Sequence, residues 1–207
     1  MIEKRNYIIN ELMVDQFIEN ESELIRLEET EDTGKSILEI RLDSAENLSI
    51  KNVDKKPTQM LFFVNTKEKC MFKRVDHILF QCLEDNNWRV HLIEMKSSIA
   101  NDKWKDVKGK FRASYLFVQS LAAMLEMDLV ETRMYTTYER ACFRPSETKP
   151  VERRLLLGEK HIKPEDEWSG KNFGLNFGTR IKFMHVPIKM ARNKNDILEG
   201  RYVSAVF

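Results

Sequence analysis

The segment RVDHILFQCLEDNNWRVHLIEMKSS, residues 74–98, constrains the fold more than any other part of the chain. Two apolar runs rich in β-forming residues flank the polar stretch Glu84-Asp85-Asn86, the pattern of two antiparallel strands joined by a short loop. Side chains alternate across a strand. Trp88, Val90, Leu92, Glu94 and Lys96 therefore share one face of the second strand, and Arg74, Asp76, Ile78 and Phe80 share one face of the first. With a three-residue loop, Leu83 pairs with Asn87 and, counting back, Asp76 pairs with Glu94. A loop of another length slips the register and turns Asp76 away. Directly opposed residues have Cβ atoms about 4.5–5.5 Å apart. Two carboxylates that close repel, so one takes a proton or a cation binds between them.

Composition narrows the setting without naming a chemistry. The chain has 207 residues, 42% hydrophobic and 32% charged, a balance that suits one water-facing globular domain over 1–207 with its own core. No run approaches the ~18 apolar residues of a membrane span. The opening MIEKRNYIINELMVDQF lacks the apolar stretch and small-residue cleavage site of a secretory signal. A cytoplasmic protein with no membrane association is expected. Cys70, Cys82 and Cys142 are odd in number and form no CxxC pair, which points to free thiols in a reducing compartment. The spacing of Cys70, His77 and Cys82 fits no common zinc pattern. A formal net charge of +1 excludes a globally basic nucleic-acid binder but leaves room for a locally basic cleft.

Helical spacing of Ile8, Ile9, Leu12, Met13 and Phe17 predicts an amphipathic helix over 5–19. Short alternating runs over 22–54 predict a small antiparallel meander, acidic enough to serve as a surface for a protein partner. Residues 55–58 read as a turn and 59–65 as a buried strand. After the hairpin, Val107, Phe111, Ser114, Tyr115, Val118, Leu121, Ala122 and Leu125 mark one face of a long helix. Asp102 is its candidate N-cap, and Gly109 a weak point within it. Residues 128–143 alternate as a strand, "SGKNFGLNFGT" reads as a loop, and "RIKFMHVPIKM" as a late strand that Pro187 places at a sheet edge. The order helix, strands, long helix, strand defines a mixed α/β (α+β) domain. Its core covers about 59–143, with an N-terminal elaboration over 5–54 and a C-terminal one over 145–207.

Two carboxylates with a lysine one tooth further along the strand suit hard-cation chemistry on a phosphodiester. Mg²⁺ takes oxygen ligands, often one or two carboxylates plus substrate phosphate, and a bound metal acidifies water and stabilises phosphoryl charge. Asp76, then Glu94-Met95-Lys96 ending an apolar strand, then a long helix, resembles the PD-(D/E)XK nuclease superfamily over roughly 59–143. Other acid-x-Lys strings occur at Asp54, Asp106 and Glu147, but only the one at Glu94 ends an apolar strand with an Asp upstream and a helix after it. Val75 stands where the family name has Pro.

The resemblance implies a restriction-endonuclease-like core, a central mixed sheet flanked by helices, with the N-terminal β region as an extension. It implies Asp76 and Glu94 as ligands of Mg²⁺ or Mn²⁺, and Asp76, Glu94 and Lys96 as the catalytic set. The implied activity is an endonuclease acting on DNA or RNA, in phage defence or genome maintenance, and many relatives are homodimers. Glu11 and Glu19 are candidates for an additional acid from the first helix. Gln119 or Lys110 are candidates for an accessory polar residue on the long helix. The competing expectation is a catalytically silent module of the same fold that binds nucleic acid or a protein partner.

Lys103, Lys105, Lys108, Lys110 and Arg112 gather at the start of the long helix and are candidates for phosphate contacts. Trp104 and Tyr115 could stack on bases, although the position of Tyr115 on the apolar face favours packing. His77 and His91 read as packed or surface histidines, and His161 and His185 as too isolated to share a metal. Lys171 and Arg180 could meet phosphate from the glycine-bearing loop, which lacks P-loop spacing.

Overall fold

Leu83 and Asn87 face each other across the loop Glu84-Asp85-Asn86, as a three-residue connection requires. The Leu83 amide donates to the Asn87 carbonyl, and the Asn87 amide to the Glu84 carbonyl, both at 2.8 Å. Asp85 and Asn86 take φ of 51° and 65°, a region that Asp and Asn enter more readily than most side chains. Asn86 then fastens the turn: Nδ2 donates to the Glu126 carbonyl at 2.8 Å, and Oδ1 accepts from the Trp88 indole at 3.3 Å. His77 consequently stands opposite Ile93, and Cys82 opposite Trp88. The ladder ends at His77 and Ile93, and Asp76, just before β5, turns its carboxylate to the Met95 amide beside Glu94.

The computed structural model describes residues 18–31, 34–44, 46–50, 71–143 and 162–203, together with Ile9. In chain order the elements are β1 (Ile18–Glu21), β2 (Leu24–Glu31), β3 (Gly34–Arg41), β4 (Asn47–Ile50), β5 (His77–Cys82), β6 (Asn87–Glu94) and β7 (Ser98–Ile99). Then follow helix α1 (Asn101–Met124), β8 (Asp128–Tyr138), β9 (Arg140–Ala141), helix α2 (Pro164–Trp168), β10 (Gly174–Asn176), β11 (Arg180–Lys182), β12 (Met184–Lys189), β13 (Ala191–Arg192) and β14 (Leu198–Val203). The central sheet has the order β1-β4-β5-β6-β8-β12. Its pairs are antiparallel from β1 to β6 and parallel across β6, β8 and β12. Two adjacent parallel strands need a long connection between them, and α1 supplies it between β6 and β8.

One face of this sheet carries Ile78, Phe80, Val90, Leu92 and Met134 against Trp104, Val107, Phe111 and Val118 of α1. The opposite face carries Leu79, Ile93, Met95, Tyr135 and Ile188, which pack on Ile25, Leu27, Leu38, Ile40 and Leu198 of a second sheet. That sheet has the order β13-β14-β3-β2. The architecture is therefore mixed α+β in three layers, helix on sheet on sheet. The sequence reading put helices on both faces; among the described residues they cover one, because β2, β3 and β14 present their own apolar side to the other. No helix among the described residues is long and apolar enough to cross a membrane.

Several local expectations change. Ile18 and Glu19, read as the end of a helix, lie in β1; residues 5–17, apart from Ile9, and 51–70 fall outside the described residues. The predicted meander stops after β2 and β3, since β4 crosses to the central sheet and β3 takes β14 as its other neighbour. The N-cap of α1 is Ala100, with no side-chain cap, and Asp102 stands in the first turn, where its charge still complements the helix dipole. The glycine-bearing loop contains the β10–β11 hairpin. Pro187 lies on β12, an edge of the central sheet, the place in a sheet where proline is tolerated. His77 and Cys82 are five residues apart on β5 and so point to opposite faces, which removes them as a shared zinc pair.

Gly109 sits within α1, and a Cβ built on it meets no atom within 4 Å. Gly109→Ala should raise stability by roughly 0.5–1 kcal/mol, read as a higher urea midpoint at unchanged slope.

Candidate active site

The site lies where β6 ends and the crossover to α1 begins, the carboxyl-end position at which open parallel sheets commonly bind ligands. Glu94 is the last residue of β6 and, like Leu92, points to the α1 side. Its side chain has 0% exposure. Lys96 Nζ lies 2.7 Å from Glu94 Oε1, and Lys110 Nζ of α1 lies 2.7 Å from the same oxygen. Lys110 Nζ also lies 3.3 Å from Asp76 Oδ1. One ammonium thus bridges the two carboxylates, which stand no further apart than two ion-pair lengths. Asp76 Oδ2 accepts the Met95 amide at 2.6 Å, leaving Oδ1 as its oxygen towards the cation. Glu94 Oε2, buried, has no hydrogen-bond partner among the described residues.

Local sequence explains the placement. Asp76 precedes β5, where the strand has not begun and its carboxylate can turn to the backbone of Met95. The Val75 amide donates to Ser114 Oγ at 2.9 Å, tying this approach to α1 one turn beyond Lys110. Burial, then the charge of Asp76, pushes the Glu94 carboxyl up to about 7 against the pull of Lys96 and Lys110. Burial alone would lower both lysines, but Glu94 and Asp76 outweigh it and hold each above its ordinary value.

Of the residues singled out in the sequence, the fold brings Asp76, Glu94, Lys96 and Lys110 together. Lys103 shares the Lys110 side of α1, two helical turns earlier, and donates to Ser98 Oγ at 2.7 Å. Lys105, Lys108 and Arg112 lie on the other side of the helix, so the five bases do not form one patch. Lys108 and Arg180 instead pair with the buried Glu167, at 2.6 and 3.0 Å. Lys171 is exposed. Gln119 is exposed and half a turn round from Lys110, so it does not reach the site. Glu19 is in register with Ser49, which is in register with Leu79; it points to the face opposite Glu94, two strands beyond β5. Glu11 and His161 fall outside the described residues.

Trp104 is 1% exposed and packs among Phe111, Phe173 and His185, which removes it as a base-stacking residue. Tyr115 is half-buried against Phe177 and Phe183. His91 and His185 are buried, and burial holds both rings neutral with a pKa of about 3. His185 Nδ1 donates to the Trp168 carbonyl at 2.6 Å, so Nε2 accepts from Thr136 at 2.9 Å. The sequence marked Ser114 only as part of the apolar face of α1, and Thr136 and Thr137 not at all, because their closeness to the site follows only from the parallel register of β8 with β6 and from the docking of α1.

Comparison with family models, curated proteins and solved structures finds no match to this chain. The site is thus read from its own geometry. Its donor set is two hard carboxylates, which no third His, Cys, Asp or Glu joins among the described residues.

A carboxyl whose pKa is raised by folding binds its proton more tightly in the fold. The stability this contributes is full below the ordinary value of 4.5 and is lost as the pH rises to about 7. The stability of the native sequence relative to Glu94→Gln, from urea unfolding, should therefore fall between about pH 4.5 and 7. Lys110→Met, which leaves both carboxylates without their shared cation, should cost roughly 1–3 kcal/mol at neutral pH in the same assay.

Proposed function

We propose that the chain is a divalent-metal-dependent nuclease of the PD-(D/E)XK type, with a restriction-endonuclease-like core formed by β5, β6, α1 and β8. The observation that carries the reading is the bridging of Asp76 and Glu94 by a single cation, with Lys96 on the same carboxylate oxygen. The residues fit Mg²⁺ or Mn²⁺: both carboxylates offer hard oxygens, Glu94 Oε2 is buried without a hydrogen-bond partner among the described residues, and Lys110 marks where positive charge is favoured. Mg²⁺ commonly takes one or two carboxylates and completes its shell with water and substrate phosphate. Asp76 Oδ1 and Glu94 would hold the ion, which when bound supplies charge to the phosphoryl group and acidifies the attacking water.

The protein's own groups do the rest. Asp76 keeps its orientation through the Met95 amide. Lys96, drawn to Glu94, presents an ammonium at the edge of the site to orient the nucleophile and offset charge on the phosphate. Lys110, released from the carboxylates, is a second cation within reach of a phosphate oxygen, and Lys103 lies two turns along the same side of α1. The product is a cleaved phosphodiester of DNA or RNA.

A second reading rests on the same ammonium. Asp76, Glu94, Lys96 and Lys110 balance in charge, as in a catalytically silent module that binds nucleic acid or a protein partner through the acidic 22–54 region. One experiment separates the two. Single- and double-stranded DNA and RNA are incubated with the protein and Mg²⁺ or Mn²⁺, alongside chelator controls. The nuclease reading expects metal-dependent cutting that falls by at least about 10²-fold in Glu94→Ala and Lys96→Ala. Absence of cutting on every substrate, or cutting that survives both substitutions, overturns it.

A further inference from the structure

Lys96 lies beyond the end of β6, where strand pairing no longer holds the backbone. The last register pair of β6 with β8 joins Glu94 to Thr136. At the next position, a side chain takes over from the ladder. The Lys96 amide donates to Thr137 Oγ1 at 2.9 Å, and the same hydroxyl donates to the Lys96 carbonyl at 3.2 Å. Both backbone groups of Lys96 are thus held by one hydroxyl, whose own residue is buried near the end of β8. On the other side, Met95 is held by Asp76. The Glu94-Met95-Lys96 turn is clamped from both flanking strands by side chains, one of which the nuclease reading already uses as a metal ligand.

We propose that Thr137 is a positioning residue that fixes the backbone of Lys96, and through it the reach of the Lys96 ammonium to the reacting phosphate. The proposal rests on the nuclease reading for its catalytic consequence. Val is close to Thr in shape but lacks the hydroxyl, so Thr137→Val removes both bonds and leaves the Lys96 amide and carbonyl unpaired. The lysine then samples positions in which its ammonium misses the phosphate, and misplacements of about 1 Å cost on the order of 10² in rate. Thr137→Ser restores the hydroxyl and loses only a methyl group. Substrate binding by Lys103 and Lys110 on α1 does not depend on this bond.

Two measurements test it on the whole chain. The first is amide hydrogen exchange across Met95–Ser97. Exchange at Lys96 should quicken in Thr137→Val by at least about tenfold while Thr137→Ser stays near the native rate. The second is steady-state cleavage with Mg²⁺, in which Thr137→Val should lower kcat by about 10–100-fold at a KM within about twofold, and Thr137→Ser should recover most of kcat. Circular dichroism and a thermal melt confirm that each variant folds, and if Thr137→Val does not, Thr137→Ser and Thr137→Ala carry the comparison. Unchanged exchange at Lys96 in a folded variant lacking the hydroxyl overturns the clamp. Native kcat in that variant, with Lys96→Ala inactive, overturns the positioning role alone and leaves the nuclease reading standing. A native protein that cuts nothing overturns the nuclease reading and the catalytic role of Thr137 together, while the exchange measurement still reports whether the clamp exists.

Discussion

A carboxylate sealed from water has to be met by positive charge, and Glu94 is that carboxylate. Its side chain has no exposure, and a buried charge without a partner is among the most expensive features a fold can carry. The fold meets it from two directions: Lys96, two residues along the same strand end, and Lys110, brought over by α1. Asp76 adds a second negative charge, and Lys110 holds both. The docking of α1, the register of β5 with β6 and the parallel pairing of β6 with β8 all converge on this one cluster.

The electrostatics make this cluster a candidate site. Replacing a buried ion pair by well-packed apolar side chains is often neutral or stabilising, so stability alone gives little reason for four charged groups at this point. A carboxyl raised to about 7 changes its charge near neutral pH and can release its lysine partners when another cation or a phosphate enters. Perturbed groups gathered at the end of a parallel strand are the usual mark of chemistry. A carboxylate oxygen without a partner among the described residues points the same way.

The remaining polar clusters hold layers together. Glu167 joins Trp104, Lys108 and Arg180, tying α1 to α2 and the β10–β11 hairpin. On the other face of the sheet, His91 lies between Tyr135 and Gln81 at 3.0 and 2.9 Å, and Arg89 and Arg133 share Glu131. His91 and, on the α1 face, His185 are neutral, each satisfied at both ring nitrogens. That is why reading His91 as a packed residue matches the structure, while the phosphate-contact reading of Lys108 and Arg180 runs against a buried carboxylate that already holds them.

The hairpin, its three-residue loop and the closeness of Asp76 to Glu94 were legible in the residues themselves, although the ladder itself stops at His77 and Ile93. Alternation has a period of two, and the loop chemistry of Glu84-Asp85-Asn86 sets the count. The apolar face of α1 was legible for the same reason, from a period of 3.6. Local patterns of this kind report which way a side chain points within its own element. They do not report which element comes to meet it. Only the tertiary structure decided that Lys110, rather than Gln119, stands over the two carboxylates, that Glu19 faces away from them, and that β4 leaves the N-terminal hairpin for the central sheet. It also decided that Thr137, 41 residues further along the chain, holds the backbone of Lys96. These follow from the docking of one helix and the pairing of strands distant in sequence, which depend on contacts far apart along the chain and leave no periodic trace in it.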